Sequence, residues 1–260
     1  MNTVNTAEAH LVAKGESARQ SPFAGTPFDA AIIDLDGTMV DTMGDFVVAI
    51  NGMLHDLGYW PVDRAVVEVG VGKGSAYLVQ SVLRHIAAQQ APESLQPAAA
   101  PAPIDADFVL AAYQQHYQAI NGQHARVYPG VVDGLKGLQQ GGLKLACLTN
   151  KPLAFAKALL AMKGLDGFFS EVFGGDSFET KKPDPLPVLK TCAALGTLAA
   201  RTLMVGDSSN DAQAARAAGC PVVLVDYGYN HGLPVATAGA DATISSLAQL
   251  SVLLAPPSAS

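Results

Sequence analysis

Apolar positions along this chain follow two rhythms. Between residues 43 and 126 they recur at helical spacing. Phe46, Val47, Ile50, Met53, Leu54 and Leu57 form one such series, which Gly58 stops, and similar patterns run from Ala76 to Ile86 and from Phe108 to Ile120. Elsewhere, short and nearly continuous apolar runs alternate with helical segments. Residues 30–33, 143–149, 171–174, 201–206 and 221–225 read as strands, with helices near 131–140, 153–163, 185–195 and 211–218. This alternation predicts right-handed crossovers and a mainly parallel sheet that the first strand also joins. The expected fold class is α/β, a Rossmann-like three-layer core at 28–42 and 127–252, interrupted by an all-helical insert at 43–126. Inside the insert, 89–104 is rich in Ala, Pro and Gln and reads as a mobile insertion without a core of its own. Residues 1–27 read as a disordered tail and 253–260 as a short tail.

Composition narrows the function classes. Hydrophobic residues make up 49% of the 260 positions and charged residues only 15%, which suits a packed globular protein. The net charge is −7 and no basic cluster of five or more residues occurs, so a nucleic-acid surface has no electrostatic footing and the expected partner is a small molecule. No apolar run is long enough to span a bilayer. The first 27 residues are polar and small, include Glu8 and Glu16, and lack a signal-peptide core, so the expected location is cytoplasmic. Cys147, Cys192 and Cys220 are widely spaced in apolar surroundings and read as reduced thiols. Oligomeric state leaves no readable signal.

Polar residues at the predicted strand ends carry the chemistry, because open parallel sheets bind ligands beyond their carboxyl ends. After Ile33 comes Asp34-Leu35-Asp36-Gly37-Thr38. Residues i and i+2 of a strand share a side, so Asp34 and Asp36 are expected to converge. Two buried carboxylates repel, and a proton or a cation must relieve them. Mg²⁺, a hard ion with a preference for oxygen, is the usual choice. A carboxylate can also act as a nucleophile while a neighbouring acid protonates a leaving oxygen. The bland reading is an Asp-Gly turn. The second core strand ends at Thr149-Asn150-Lys151, where a hydroxyl and an amide could either hold an anion or cap the next helix. The strand near 201–206 is followed by Asp207, placed to complete a metal site, and by Asp211, placed to support it from the first helical turn. Lys182, just before Pro183, could offset phosphate charge and orient the nucleophile.

Taken in order, these four motifs resemble the haloacid dehalogenase superfamily of phosphohydrolases over about residues 28 to 250. The helical insert is similar to that superfamily's first class of cap. With Val40-Asp41-Thr42, Gly174-Gly175-Asp176 and Tyr227-Gly228-Tyr229 added, the motifs look closest to the bacterial phosphoglycolate phosphatases. The resemblance implies that Asp34 is nucleophile and Mg²⁺ ligand, and that Asp36 is acid/base and binds metal through its main-chain carbonyl. It further implies that Asp207 is a ligand and that Thr149, Asn150 and Lys182 hold phosphate. The implied activity is Mg²⁺-dependent hydrolysis of a small phosphorylated metabolite, 2-phosphoglycolate, through an aspartyl-phosphate. Alternatives are a phosphatase for another sugar or sugar-acid phosphate, a sugar-phosphate mutase and, more distantly, a non-enzymatic phospho-receiver. One departure stands out: the family often has Gly-Asn-Gly in the cap loop, where this chain has Gly72-Lys73-Gly74. Lys73 is therefore a candidate partner for a substrate carboxylate, or a mark of a different ester. Trp60, beside Pro61, is expected to pack within the insert.

Overall fold

The computed structural model describes residues 22–23, 25–90 and 105–255. The chain begins with β1 (Ala30–Ile33) and β2 (Val40–Asp41), then α1 (Met43–Asp56), α2 (Arg64–Glu68), α3 (Ser75–Gln90) and α4 (Ala106–Ile120). It continues through β3 (Arg126–Val127), α5 (Val131–Gln140), β4 (Lys144–Leu148), α6 (Leu153–Met162), β5 (Glu171–Phe173) and α7 (Leu186–Leu195). It ends with β6 (Thr202–Gly206), α8 (Ser209–Ala218), β7 (Val222–Val225), β8 (Ala242–Ile244) and α9 (Leu250–Leu253).

Six strands pair in parallel in the order β5-β4-β1-β6-β7-β8. Their apolar runs are continuous because both faces of the sheet are covered. Ala31 and Ile33 enter one core with Leu145, Cys147, Leu203 and Val205, against Leu135 of α5 and Leu159 of α6. The alternate residues Ala30, Ile32, Ala146, Leu148 and Met204 enter a second core against Val188 of α7 and Ala212 of α8. The expected three-layer architecture is the one observed. β1 lies between β4 and β6, with Ile33 level with both Cys147 and Val205. The residues that follow these three strands therefore emerge together at one edge.

Helices α1 to α4 share a separate core that includes Phe46, Ile50, Met53, Val82, Val109 and Tyr113, and α1 packs against α4. The chain leaves and re-enters the sheet region through β2 and β3, which pair antiparallel. Buried Asp45 accepts hydrogen bonds from Gly122 N and His124 N, both at 2.7 Å. Lys163 Nζ donates to the carbonyls of Gly122 and Ala125. These bonds clamp the returning segment to α1 and α6.

The structure differs from expectation in several places. β2, β3, β8 and α2 are too short for any periodicity to show in sequence. Phe23, within the expected tail, is buried and packs edge-to-face on Phe28, and residues 1–21 of that tail lie outside the described residues. Trp60 does not pack within the insert; it is 89% exposed, because its neighbours Tyr59 and Val62 take the inward positions of that extended segment. Helix α3 runs on to Gln90, and residues 91–104, most of the expected mobile insertion, lie outside the described residues. Among the described residues no helix is long and apolar enough to cross a membrane.

Candidate active site

Asp34 N donates to Val205 O at 2.9 Å, so the residue is still held in register as it leaves β1. The following turn needs glycine: Gly37 has φ +86, and a Cβ there would lie 2.1 Å from Asp207 Oδ2. At the end of β6, a Cβ on Gly206 would lie 2.3 Å from Asp211 Cγ. The missing side chain at Gly37 thus lets the β1 loop close on the β6 loop, and the one at Gly206 lets Asp211 fold back on the end of its own strand. Asp34, Asp207 and Asp211, all buried, each bring a carboxylate oxygen within 4.8 Å of the others.

Asp36 lines the same cavity, but its carboxylate turns elsewhere. β1 ends at Ile33, so the strand rule that predicted convergence does not extend to Asp36. Instead each acid has its own lysine. Lys182 Nζ donates to Asp34 Oδ1 at 2.8 Å, Asp211 Oδ1 at 2.7 Å and Leu148 O at 2.8 Å, which uses all three of its hydrogens. Lys151 Nζ donates to both oxygens of Asp36 at 2.9 and 3.2 Å and to the Tyr117 hydroxyl at 2.6 Å. The Lys151 ammonium also lies over the rings of Phe46 and Tyr117, at 4.8 and 4.5 Å. In the sequence Lys151 has no assigned role, and Tyr113 and Tyr117 merely fall within the helical pattern from Phe108 to Ile120. The available signal was a cation two residues beyond Thr149, at a strand end.

The remaining expected residues also fall here. Asp211 Oδ2 accepts from Ser208 Oγ and the main-chain N–H groups of Ser208 and Asp207, so it braces the β6 loop at the start of α8. Asp207 Oδ2 accepts from Tyr229 N and Oδ1 from Thr38 Oγ1. Thr149 is buried beside the cavity, its hydroxyl oxygen accepting from Lys151 N. Helix capping by Thr149 or Asn150 does not occur, since Leu153 N at the start of α6 is met by Asp176 Oδ1 at 2.8 Å. Both amide hydrogens of Asn150 go to carbonyls, Gly72 at 2.9 Å and Lys182 at 2.8 Å, while its Oδ1 accepts from Lys182 N. Asn210 Nδ2 reaches the same Gly72 carbonyl at 3.1 Å. Two core amides therefore latch the helical insert over the site. Gly72 and Gly74, at φ +93 and +90, line the cavity. Lys73 between them is not in the lining, and its ammonium lies 4.9 Å above the Tyr77 ring.

Burial dominates the electrostatics. It pushes the Asp34 carboxyl up to about 7, with Asp211 and Asp36 adding to the rise and Lys182 opposing it. Asp207 is driven well above the usual carboxylate range by burial, then by Asp211 and Asp34. For Lys182 burial works toward neutrality, but Asp211 and Asp34 outweigh it and hold the ammonium charged. Four buried carboxyl groups (Asp34, Asp36, Asp207, Asp211) face two buried ammonium groups (Lys151, Lys182), so full ionisation of the acids would leave two negative charges. A divalent cation with a preference for oxygen ligands fits both that charge and the neighbouring carboxylates of Asp34 and Asp207, with Asp211 beside them already committed to Lys182 and the β6 loop. The cavity lies between these residues and Phe46, Leu78, Tyr113 and Tyr117 of the insert.

Comparison with known proteins gives a consistent picture. The family model of the haloacid dehalogenase-like hydrolases matches residues 28–219. The chain is 44% identical over 230 residues to a plasmid phosphoglycolate phosphatase of Cupriavidus necator, covering 88% of this chain and 94% of the relative. It is 39% identical to the phosphoglycolate phosphatase of Thiobacillus denitrificans, covering 88% and 96%. A solved structure titled as a predicted phosphoglycolate phosphatase from Haemophilus somnus superposes with a TM-score of 0.78 at 31% identity, covering 86% of this chain and 96% of that one.

Proposed function

Because the chain belongs to the haloacid dehalogenase-like hydrolase family, we propose that it is a Mg²⁺-dependent phosphatase that converts 2-phosphoglycolate to glycolate and phosphate through an aspartyl-phosphate. As a phosphoric monoester hydrolase it resembles the phosphoglycolate phosphatases named above. Membership of a hydrolase family sets aside the phospho-receiver alternative.

The reading is carried by one observation: Asp34 and Asp36 line one cavity but are paired with different lysines. Asp34, aimed by Lys182, attacks phosphorus in its ionised form as the bond to the ester oxygen breaks. Asp36 gives its proton to the departing alkoxide. It then takes one from the water that attacks phosphorus and releases phosphate from Asp34. Thr149 offers its hydroxyl to the phosphoryl oxygens. The Asn150 side chain is committed to Gly72 and Lys182, so its share in phosphate binding falls to its main chain. Lys182 adds positive charge behind the nucleophile. Asp34, Asp207 and the Asp36 carbonyl would hold Mg²⁺, with Asp211 bracing them, and the ion supplies neutralisation of charge on the phosphoryl oxygens.

Initial rates of phosphate release across phosphoglycolate, glycerol phosphate and hexose phosphates test the substrate. Phosphoglycolate is expected to lead, and a preference below about threefold would remove it, because one charge contact is worth more than that. Asp34→Asn is expected to abolish phosphate release from every ester. Release that persists would overturn the mechanism.

A further inference from the structure

Two ammonium groups line the cavity among the described residues, those of Lys182 and Lys151. Lys182 has spent its three hydrogens on Asp34, Asp211 and the Leu148 carbonyl. Lys151 has not: two of its three contacts go to the two oxygens of one carboxylate, the longer at 3.2 Å, so one hydrogen can be redirected without leaving Asp36 unpaired. The third goes to Tyr117, whose own hydroxyl hydrogen has no acceptor among the described residues. A second donor thus stands beside the first, on the wall that the helical insert contributes.

We infer that Lys151 and the Tyr117 hydroxyl form the subsite for the carboxylate of a phosphorylated 2-hydroxy acid, and so determine substrate specificity. The argument is positional and rests on the hydrolysis proposed above. Asp36 must reach the ester oxygen to protonate it. In such a substrate the carboxylate is separated from that oxygen by a single carbon, so the nearest cation to Asp36 is also the nearest to the carboxylate. The subsite is closed by the rings of Phe46 and Tyr117, which exclude water and strengthen a charge-assisted bond. Lys73, the partner expected from sequence, sits over Tyr77 outside the lining.

The test compares 2-phosphoglycolate with ethyl phosphate, which keeps the length and replaces the carboxylate by a methyl group. In wild type, kcat/KM should favour phosphoglycolate. Lys151→Met should shrink that preference by about 10- to 100-fold, mainly through KM for phosphoglycolate. Tyr117→Phe should shrink it less, and Lys151→Arg should retain most of it. If Lys151→Met lowers both substrates equally, the lysine serves only to position Asp36 and the inference fails while the proposed function stands. Loss of preference in Lys73→Met with preference kept in Lys151→Met would also overturn it, placing the carboxylate under the loop of the insert. A wild type without preference would instead remove the proposed substrate itself, and the subsite with it.

Discussion

Asp36 is the residue on which the proposed chemistry turns twice, first as acid and then as base. Asp36→Asn keeps the shape but can neither give nor accept the proton, and kcat for phosphate release should fall about 100- to 10,000-fold. A loss of less than about tenfold would show that another group handles the proton. Asp34, Asp36 and Asp207 could be picked out in the sequence because each follows an apolar strand, where an unpaired carboxylate costs desolvation and has no structural purpose. Lys151 could not be read in the same way. Its partners lie 115 and 34 positions away, and a lysine after a strand is ordinarily a solvated charge. Lys73 drew attention through the spacing of its flanking glycines, which the loop itself requires, both at positive φ, and the structure places its ammonium over Tyr77, outside the cavity lining.

At the scale of elements, the join between insert and sheet depends on buried Asp45 in α1. Its two oxygens satisfy the N–H groups of Gly122 and His124 on the segment that returns to β3. Asp45→Ala leaves both donors without that partner, and denaturant unfolding should show a loss of about 1–3 kcal/mol for each group that stays dry. A variant as stable as wild type would mean that water replaces the carboxylate. None of this was visible in sequence, where Asp45 is one polar position in a helical pattern. The helices themselves were legible, with ends within a few residues for α5, α6, α7 and α8, because amphipathic or apolar stretches bounded by Gly and Pro report local structure directly. β2 and β3 were not, since a two-residue ribbon exists only through its partner.

For the molecule as a whole, the two buried acids in excess of the buried ammonium groups make stability depend on pH and on a cation. Without metal, Asp34 rises from the ordinary 3.8 to about 7, so the folded state holds this proton more tightly than the unfolded chain. Stability of the metal-free protein should therefore fall as pH rises through that window, and Asp207 acts in the same direction. Thermal melts of chelated protein on either side of the window should show the lower midpoint at the higher pH. Excess Mg²⁺ should raise that midpoint, by about 2.7 kcal/mol of added stability at a hundredfold excess over its dissociation constant. A chelated protein whose midpoint is indifferent to pH across the window would contradict the charge count.

The sequence by itself determined the parallel sheet, the inserted helices and the acidic strand ends. Continuous apolar runs, helical spacing and costly carboxylates are properties of neighbouring residues, and they do not wait on the rest of the chain. Only the tertiary structure decided which lysine meets which acid, that Asn150 latches the Gly72 carbonyl rather than capping a helix, with Asn210 reaching the same carbonyl, and that Tyr117 reaches from the insert to Lys151. Those outcomes depend on distances between residues far apart in sequence, set when the β1, β4 and β6 edges come together beneath the insert.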